Sequence, residues 1–147
     1  MQTWIISSNF KKSAKLLDRK RLGAQIYEGI HILSSLLNCN NKLVNSKRNI
    51  ANHPASKLWK DFESELLYYI YCHLREWLSR GYKTDINLKN YKMLKSRIKL
   101  KNNVPYWITN NLIETHKSVL FKKDDYYKGI WQNVNIELNM RYDWRVI

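Results

Sequence analysis

Arg21, Gln25 and Glu28 recur along a stretch whose other positions, Leu22, Ile26, Ile30, Leu33 and Leu37, are apolar at spacings of three or four residues. A helix built on this pattern has a packing side and a chemical side. Arg21 and Glu28 stand about two turns apart, so their side chains address one surface. A carboxylate set among Arg19, Lys20 and Arg21 has two uses. It can manage a proton or stabilise positive charge developing on a sugar, or it can simply pair with the neighbouring cations.

Other chemistries find little support. His31, His53, His73 and His116 are widely separated, and no pair has the four-residue spacing of a helical metal motif. Four glycines leave no room for a glycine-rich phosphate loop. Asp124 and Asp125 are adjacent, point in different directions on a helix, and suit a helix start. No metal and no cofactor is expected. Cys39 and Cys72 are too few for a disulfide framework, which implies a reducing compartment. The opening lacks a signal-peptide pattern, and the most apolar run, 66–78, is interrupted by His73, Arg75 and Glu76. The expected location is cytoplasmic, or another intracellular site containing DNA, without secretion or a membrane partner.

Twenty-six Lys and Arg stand against 12 Asp and Glu, a formal charge of +14. So large an excess predicts long-range attraction to a polyanion, nucleic acid above all. The 44% hydrophobic content, with ten Tyr and six Trp, separates the chain from disordered basic tails. At 147 residues it falls within the size of one domain with a real core.

The elements that must position these groups read as helices, giving an all-α, compact single-domain protein. Phe10, Ala14 and Leu17 share one face of a short helix over 10–17, with Ser8 or Asn9 as its cap. The second helix begins near 18–21 and runs to about 37. Residues 38–52, rich in Asn, Ser, Lys and Arg, form a basic loop suited equally to phosphate contact and to plain solvation. Pro54 fits a first turn after a cap at Asn52. From there Leu58, Phe62, Leu66, Ile70, Leu74 and Leu78 follow at four-residue intervals, as one helix over 53–80 or two joined near 60–61. This long element, stopped by Gly81, is expected to be the central post. A short basic helix is expected over 91–100, a helix opened by a capping box at Asn111 and Glu114 through about 122, and another over 125–131. Trp144 and Val146 are candidate anchors for the tail.

Several blocks resemble a known family. They are Met1-Gln2-Thr3-Trp4, the run Leu17-Asp18-Arg19-Lys20-Arg21-Leu22-Gly23 with Gln25 and Glu28, and Asn52-His53-Pro54. Trp59, Glu76-Trp77, Arg80-Gly81-Tyr82 and Thr115-His116-Lys117-Ser118 with Leu120 and Lys122 extend the likeness over 1–131. It is to a microbial and viral family grouped with the pyrimidine-dimer DNA glycosylases of the phage endonuclease V type.

The resemblance implies one endonuclease V-like helical domain over 1–147 and damaged double-stranded DNA as partner, with no obligate protein partner. It implies cleavage of the glycosidic bond of a pyrimidine dimer, then of the backbone by β-elimination through an imine between a protein amine and the sugar C1′. The family nucleophile is the amine of the processed N-terminus, assisted by a glutamate on an early helix and nearby arginines. Carried over, Met1 is the candidate nucleophile, Glu28 the acid or base and Arg21 the assisting arginine. Gln2 is bulky enough to make removal of Met1 inefficient, and a terminal Gln could cyclise and lose its amine. Lys20 is the alternative nucleophile, provided its surroundings make it less basic. Ungapped alignment of the early helices sets Gly23 near the family's acid, so Glu28 would act from further along the helix. Arg19, Arg48, His53, His116, Lys117 and Lys122 are the candidate DNA-binding residues. A non-catalytic basic DNA- or RNA-binding protein on the same scaffold is the alternative.

Overall fold

The computed structural model describes residues 1–138, so Trp144 and Val146 lie outside the described residues. Within them the chain forms seven α-helices and one 3₁₀ turn, with no strand. The all-α expectation holds.

Helix α1, Phe10–Leu16, starts where the Asn9 side chain accepts the Lys12 N–H at 3.1 Å. Helix α2, Arg19–Leu36, is capped in the same way by Asp18, which accepts the Arg21 N–H. Both caps satisfy a donor that the first helical turn leaves without a partner. Leu22, Ile26, Ile30 and Leu33 are fully buried, as their spacing requires. The loop after α2 contains a 3₁₀ turn at Asn40–Lys42.

Residues 53–80 form two helices rather than one, α3 over Pro54–Trp59 and α4 over Glu63–Ser79. The break falls at Asp61, whose φ of +70° lies in the left-handed region. Asp tolerates that region better than bulky residues do, and its N–H is accepted by the Glu63 carboxylate at 3.1 Å. The cap of α3 is His53, with Nδ1 accepting the Ala55 N–H at 3.1 Å, so Asn52 stays outside. Gly81, at φ +83°, closes α4 as expected.

Helix α5, Asp85–Lys95, begins one to two turns earlier than the expected 91–100. Leu88, Tyr91 and Leu94 continue a single inward face, which carries the helix back to Asp85. Ile98 and Leu100 pack against the core from beyond its end. Helix α6, Asn110–Lys123, is capped by Thr109, whose Oγ1 accepts the Leu112 N–H at 3.2 Å, rather than by Asn111. Glu114 instead pairs with Lys117 at 3.3 Å. Helix α7, Asp125–Ile130, follows after Asp124.

Two apolar clusters hold the helices. The larger gathers residues of α2, α3, α4, α5 and α6 around Trp59 and Tyr69. The smaller joins Trp4 and Ile6 to α1, α2, α6 and α7 through Ala14, Leu17, Leu22, Leu120 and Tyr127. Helices α2 and α4 touch closely at Gly29, where an added Cβ would lie 2.7 Å from Ile70 Cγ1. That neighbour is the rigid root of a β-branched side chain in a filled core, so the helices must part to admit a methyl group. Gly29→Ala is therefore expected to destabilise the protein by about 1–3 kcal/mol, the usual cost of overpacking. Urea unfolding checks this.

Candidate active site

Residues 2–6 are buried without belonging to a helix, so their backbone groups need partners from elsewhere. Side chains supply them. The Gln2 N–H donates to Glu28 Oε2 at 3.0 Å, and the Trp4 N–H to Gln25 Oε1 at 2.7 Å. The Ile5 N–H donates to His116 Nδ1 at 2.8 Å and the Ile6 N–H to Ser13 Oγ at 3.2 Å. On the acceptor side, Gln25 Nε2 donates to the Gln2 carbonyl at 2.9 Å. Trp59 Nε1 donates to Thr3 Oγ1 at 3.1 Å. The Tyr69 hydroxyl lies 2.8 Å from the Trp4 carbonyl and 2.7 Å from Gln25 Oε1. Gln25 thus uses both ends of its amide on the segment, and Glu28, one turn further along α2, receives the segment's first backbone N–H.

Beside that contact lies a pocket of about 220 Å³, lined by Met1, Tyr27, Glu28, His31, Arg48, Ile50 and His53. Burial pushes the Glu28 pKa above the ordinary carboxylate value, against the opposing pull of the Gln2 N–H, the positive N-terminus and the Gln25 side chain. Burial likewise holds His53 below the ordinary histidine value, helped by the charges of the N-terminus and Arg48. His31 is lowered chiefly by burial, with Arg48 adding to it. The pocket therefore combines a carboxyl that keeps its proton to a higher pH than usual, an α-amine close enough to be felt by it, and two imidazoles biased toward neutrality.

Of the residues singled out from sequence, Met1, Glu28, Arg48 and His53 share this wall. Arg21 serves elsewhere. Its guanidinium lies 3.2 Å from Asp18 and 2.9 Å from Asp124, and stands over the Tyr127 ring. Lys20 is exposed and outside the pocket wall. Arg19 is also exposed and stacks over Tyr82, 4.6 Å from its centroid. His116 does not face solvent as a DNA contact must: it is wholly buried, desolvation takes its pKa down to about 3, and it positions Ile5. Lys117 pairs with Glu114 and stands over Trp131, while Lys122 donates to the Leu138 carbonyl at 3.0 Å. Sequence reasoning weighed His31 only as a metal ligand and did not single out Tyr27. The usable signal was position, since Tyr27 adjoins Glu28 and His31 follows it by one turn.

A family model described as pyrimidine dimer DNA glycosylase matches residues 1–90, more than half of the chain. No curated protein and no solved structure gives a significant match. The matched stretch contains every residue of the pocket wall, whereas α6, with His116, Lys117 and Lys122, lies beyond it.

The raised Glu28 pKa has a consequence for stability. The folded chain holds that proton to a higher pH than the unfolded chain does. The resulting stabilisation is complete below the unfolded carboxyl's value and is lost as pH rises through the folded value. Glu28→Gln removes this loss while keeping an acceptor for Gln2. The melting temperature of the variant minus that of the parent should therefore be more positive at about pH 7 than at about pH 4. Circular dichroism melts at the two pH values test the sign.

Proposed function

The chain belongs to the pyrimidine dimer DNA glycosylase family, and we propose that it excises damaged bases from duplex DNA by an imine route that needs no metal, then cuts the abasic strand as a lyase. The observation that carries this reading is the pairing of the N-terminal segment with Glu28, whose carboxylate lies 3.0 Å from the Gln2 nitrogen and lines a small pocket with Met1 in the same wall.

In the proposed reaction the Met1 amine attacks C1′ with its lone pair. The glycosidic bond breaks with its electrons going to the base, which takes one of the amine's protons; the C1′–O4′ bond then opens, O4′ taking a proton from the Glu28 carboxyl, to leave the iminium. Removal of a proton from C2′ then expels the 3′ phosphate and breaks the strand. Glu28 is the group placed to take and return protons, and a carboxyl titrating above its usual range is better matched to that work near neutral pH. Ionised, it also faces the positive charge of the iminium. Arg48 and His53, on the same wall, suit the flanking phosphates. The net charge of +14 supplies the sequence-independent attraction, and a lesion that weakens its own stacking lowers the cost of exposing C1′.

The test is borohydride trapping in EDTA on dimer-containing and abasic duplexes. A covalent adduct is expected, with its label on the Met1 peptide. Label on the Lys20 peptide would keep the reaction and move the nucleophile. Glu28→Gln should slow trapping by about 100-fold or more, the scale of a lost acid–base group. Folded protein that binds DNA with a steep salt dependence yet gives neither adduct nor strand cleavage would make this a binding protein without catalysis.

A further inference from the structure

Cations also gather on a side of the molecule that the proposed reaction does not use. Helices α1 and α4 enclose a cleft of about 270 Å³, with Lys11 and Lys15 of α1 on one side, Arg75 and Glu76 of α4 on the other, and buried Cys72 as its floor. Its place follows from the helices that bound it. Helix α4 meets α2 through Ile70 and Trp77, which lie 2.7 and 3.0 Å from Cβ atoms added at Gly29 and Gly23. At about 100° per residue, Cys72, Arg75 and Ser79 fall about half a turn away, on the opposite side of α4. On α2 the buried Leu22, Ile26, Ile30 and Leu33 face inward, and Glu28 falls about half a turn from Ile26. The cleft and the Glu28 pocket therefore occupy opposite faces of the α2–α4 pair.

Three cations and one carboxylate share the wall, and the carboxylate is already committed. Glu76 Oε1 accepts from Arg80 Nε at 2.9 Å. Arg80 in turn donates to the Ala14, Lys15 and Leu17 carbonyls at 3.3, 3.1 and 2.8 Å, which clamps the end of α1 to α4. Lys11, Lys15 and Arg75 are exposed and form no ion pair among the described residues. Lys11 and Lys15 stand one turn apart on one face of α1. Their field reaches the floor, where Lys11 opposes the rise that burial imposes on the Cys72 thiol pKa. Three like charges repel one another, so helices that hold them together without a counter-charge present a preformed site for an anion. The basic surface continues beyond the cleft. Tyr71, in its wall, packs on Tyr91 of α5 with ring centroids 6.4 Å apart, and α5 carries exposed Lys89, Lys92 and Lys95 with no acid from 86 to 95. A track of cations suits the repeating charges of a phosphodiester backbone better than it suits one small anion.

We propose that this cleft is a second DNA-backbone site, in which Lys11, Lys15 and Arg75 hold phosphates of a duplex other than the one presented to Glu28. The inference rests on the glycosylase reading only for the identity of the first site. One duplex cannot serve both faces. Duplex DNA stays nearly straight over lengths on the order of its persistence length, about 150 base pairs, so a short segment lying on one face does not bend round a small domain to the other. The second site therefore belongs to a second segment. Holding that segment before the first is released lets the protein pass between segments while it searches for rare damage, as weak electrostatic contacts permit.

Sedimentation of the protein with an excess of a short duplex at low salt counts the duplexes held by each chain. Two are expected for the parent and one for the double substitution Lys11→Glu, Lys15→Glu. The control Lys57→Glu, Lys60→Glu makes the same change of net charge at α3 and should still hold two. Affinity for the second duplex should fall with salt at a log–log slope of about −3, one unit for each cation, and Arg75→Gln should reduce that slope by about one. Borohydride trapping at saturating DNA should be the same for the Lys11, Lys15 variant as for the parent. Thermal melts identify any variant that fails to fold, and Arg75→Gln, which alters one exposed side chain, keeps the test decisive in that event. A single duplex on the parent overturns the second site, as does an equal loss in the α3 control. A single duplex together with inorganic phosphate shifting the Arg75 Nε–H resonance overturns it too, by making the cleft a small-anion site. Trapping with one duplex bound would sink the second site alone, whereas two duplexes bound without trapping would sink the catalytic reading alone.

Discussion

The structure turns on a segment that is buried without being helical. Residues 2–6 are buried and their backbone groups lack the i to i−4 partners that helices provide, and leaving such a group unpaired costs about 1–3 kcal/mol. Side chains from four helices bond to several of them: Ser13 of α1, Gln25 and Glu28 of α2, Tyr69 of α4 and His116 of α6. The helices are therefore joined through the segment as well as to one another. Gln25 is the most constrained of these groups, since its two amide ends are matched to a donor and an acceptor on the same short stretch. No apolar residue of similar volume could replace it without stranding both.

A second network secures the first. Arg21 ties Asp18, at the start of α2, to Asp124, at the junction of α6 and α7, and the Tyr127 hydroxyl donates to the same Asp18 oxygen that Arg21 contacts. Fixing α6 against α2 in this way sets His116 at hydrogen-bond distance from Ile5. The arginine that sequence alone places on a chemical face thus acts on the architecture that presents Glu28, at a distance from the pocket. Lengthening the chain of dependence this way is economical for a protein of this size. One helix, α2, supplies the packing stripe, the segment's clamp and the carboxylate.

The sequence displayed what depends on local pattern. The α2 stripe, the stop at Gly81, the choice of Ser8 or Asn9 as the cap of α1, and the choice between one helix over 53–80 and two joined near 60–61 all follow from neighbours within a few residues. What it concealed depends on partners far along the chain. His116 sits among Lys117, Lys122 and Lys123 and so reads as part of a basic surface, yet Leu112 and Leu120, four residues to either side, place it on the buried stripe of α6. Arg21 reads as available because Asp124, 103 residues away, is invisible to any local window. Glu28 and Met1 could be linked through the family resemblance. That Arg48 and His53 join them required the loop at 43–52 to fold back over α2. Its course is set by Asn90 holding Val44 and by Ser35 accepting the Ile50 N–H at 3.0 Å.

The site's electrostatics run against those of the molecule, and this bears on the proposed chemistry. A charge of +14 draws a polyanion in, but an iminium intermediate is itself cationic and gains nothing from a basic protein. Within the pocket wall the balance differs. Glu28 is its carboxylate, Arg48 its fixed cation, and desolvation biases both His31 and His53 toward the neutral form. In the proposed reaction, keeping the imidazoles uncharged removes two like charges from the vicinity of the developing cation, while the segment's own N–H holds Glu28 Oε2 beside the N-terminus. The burial that makes the carboxyl hold its proton more tightly is thus the same burial that silences the histidines. A more open pocket would return Glu28 to ordinary acidity, but it would also let both rings protonate more readily beside the cation the reaction must form.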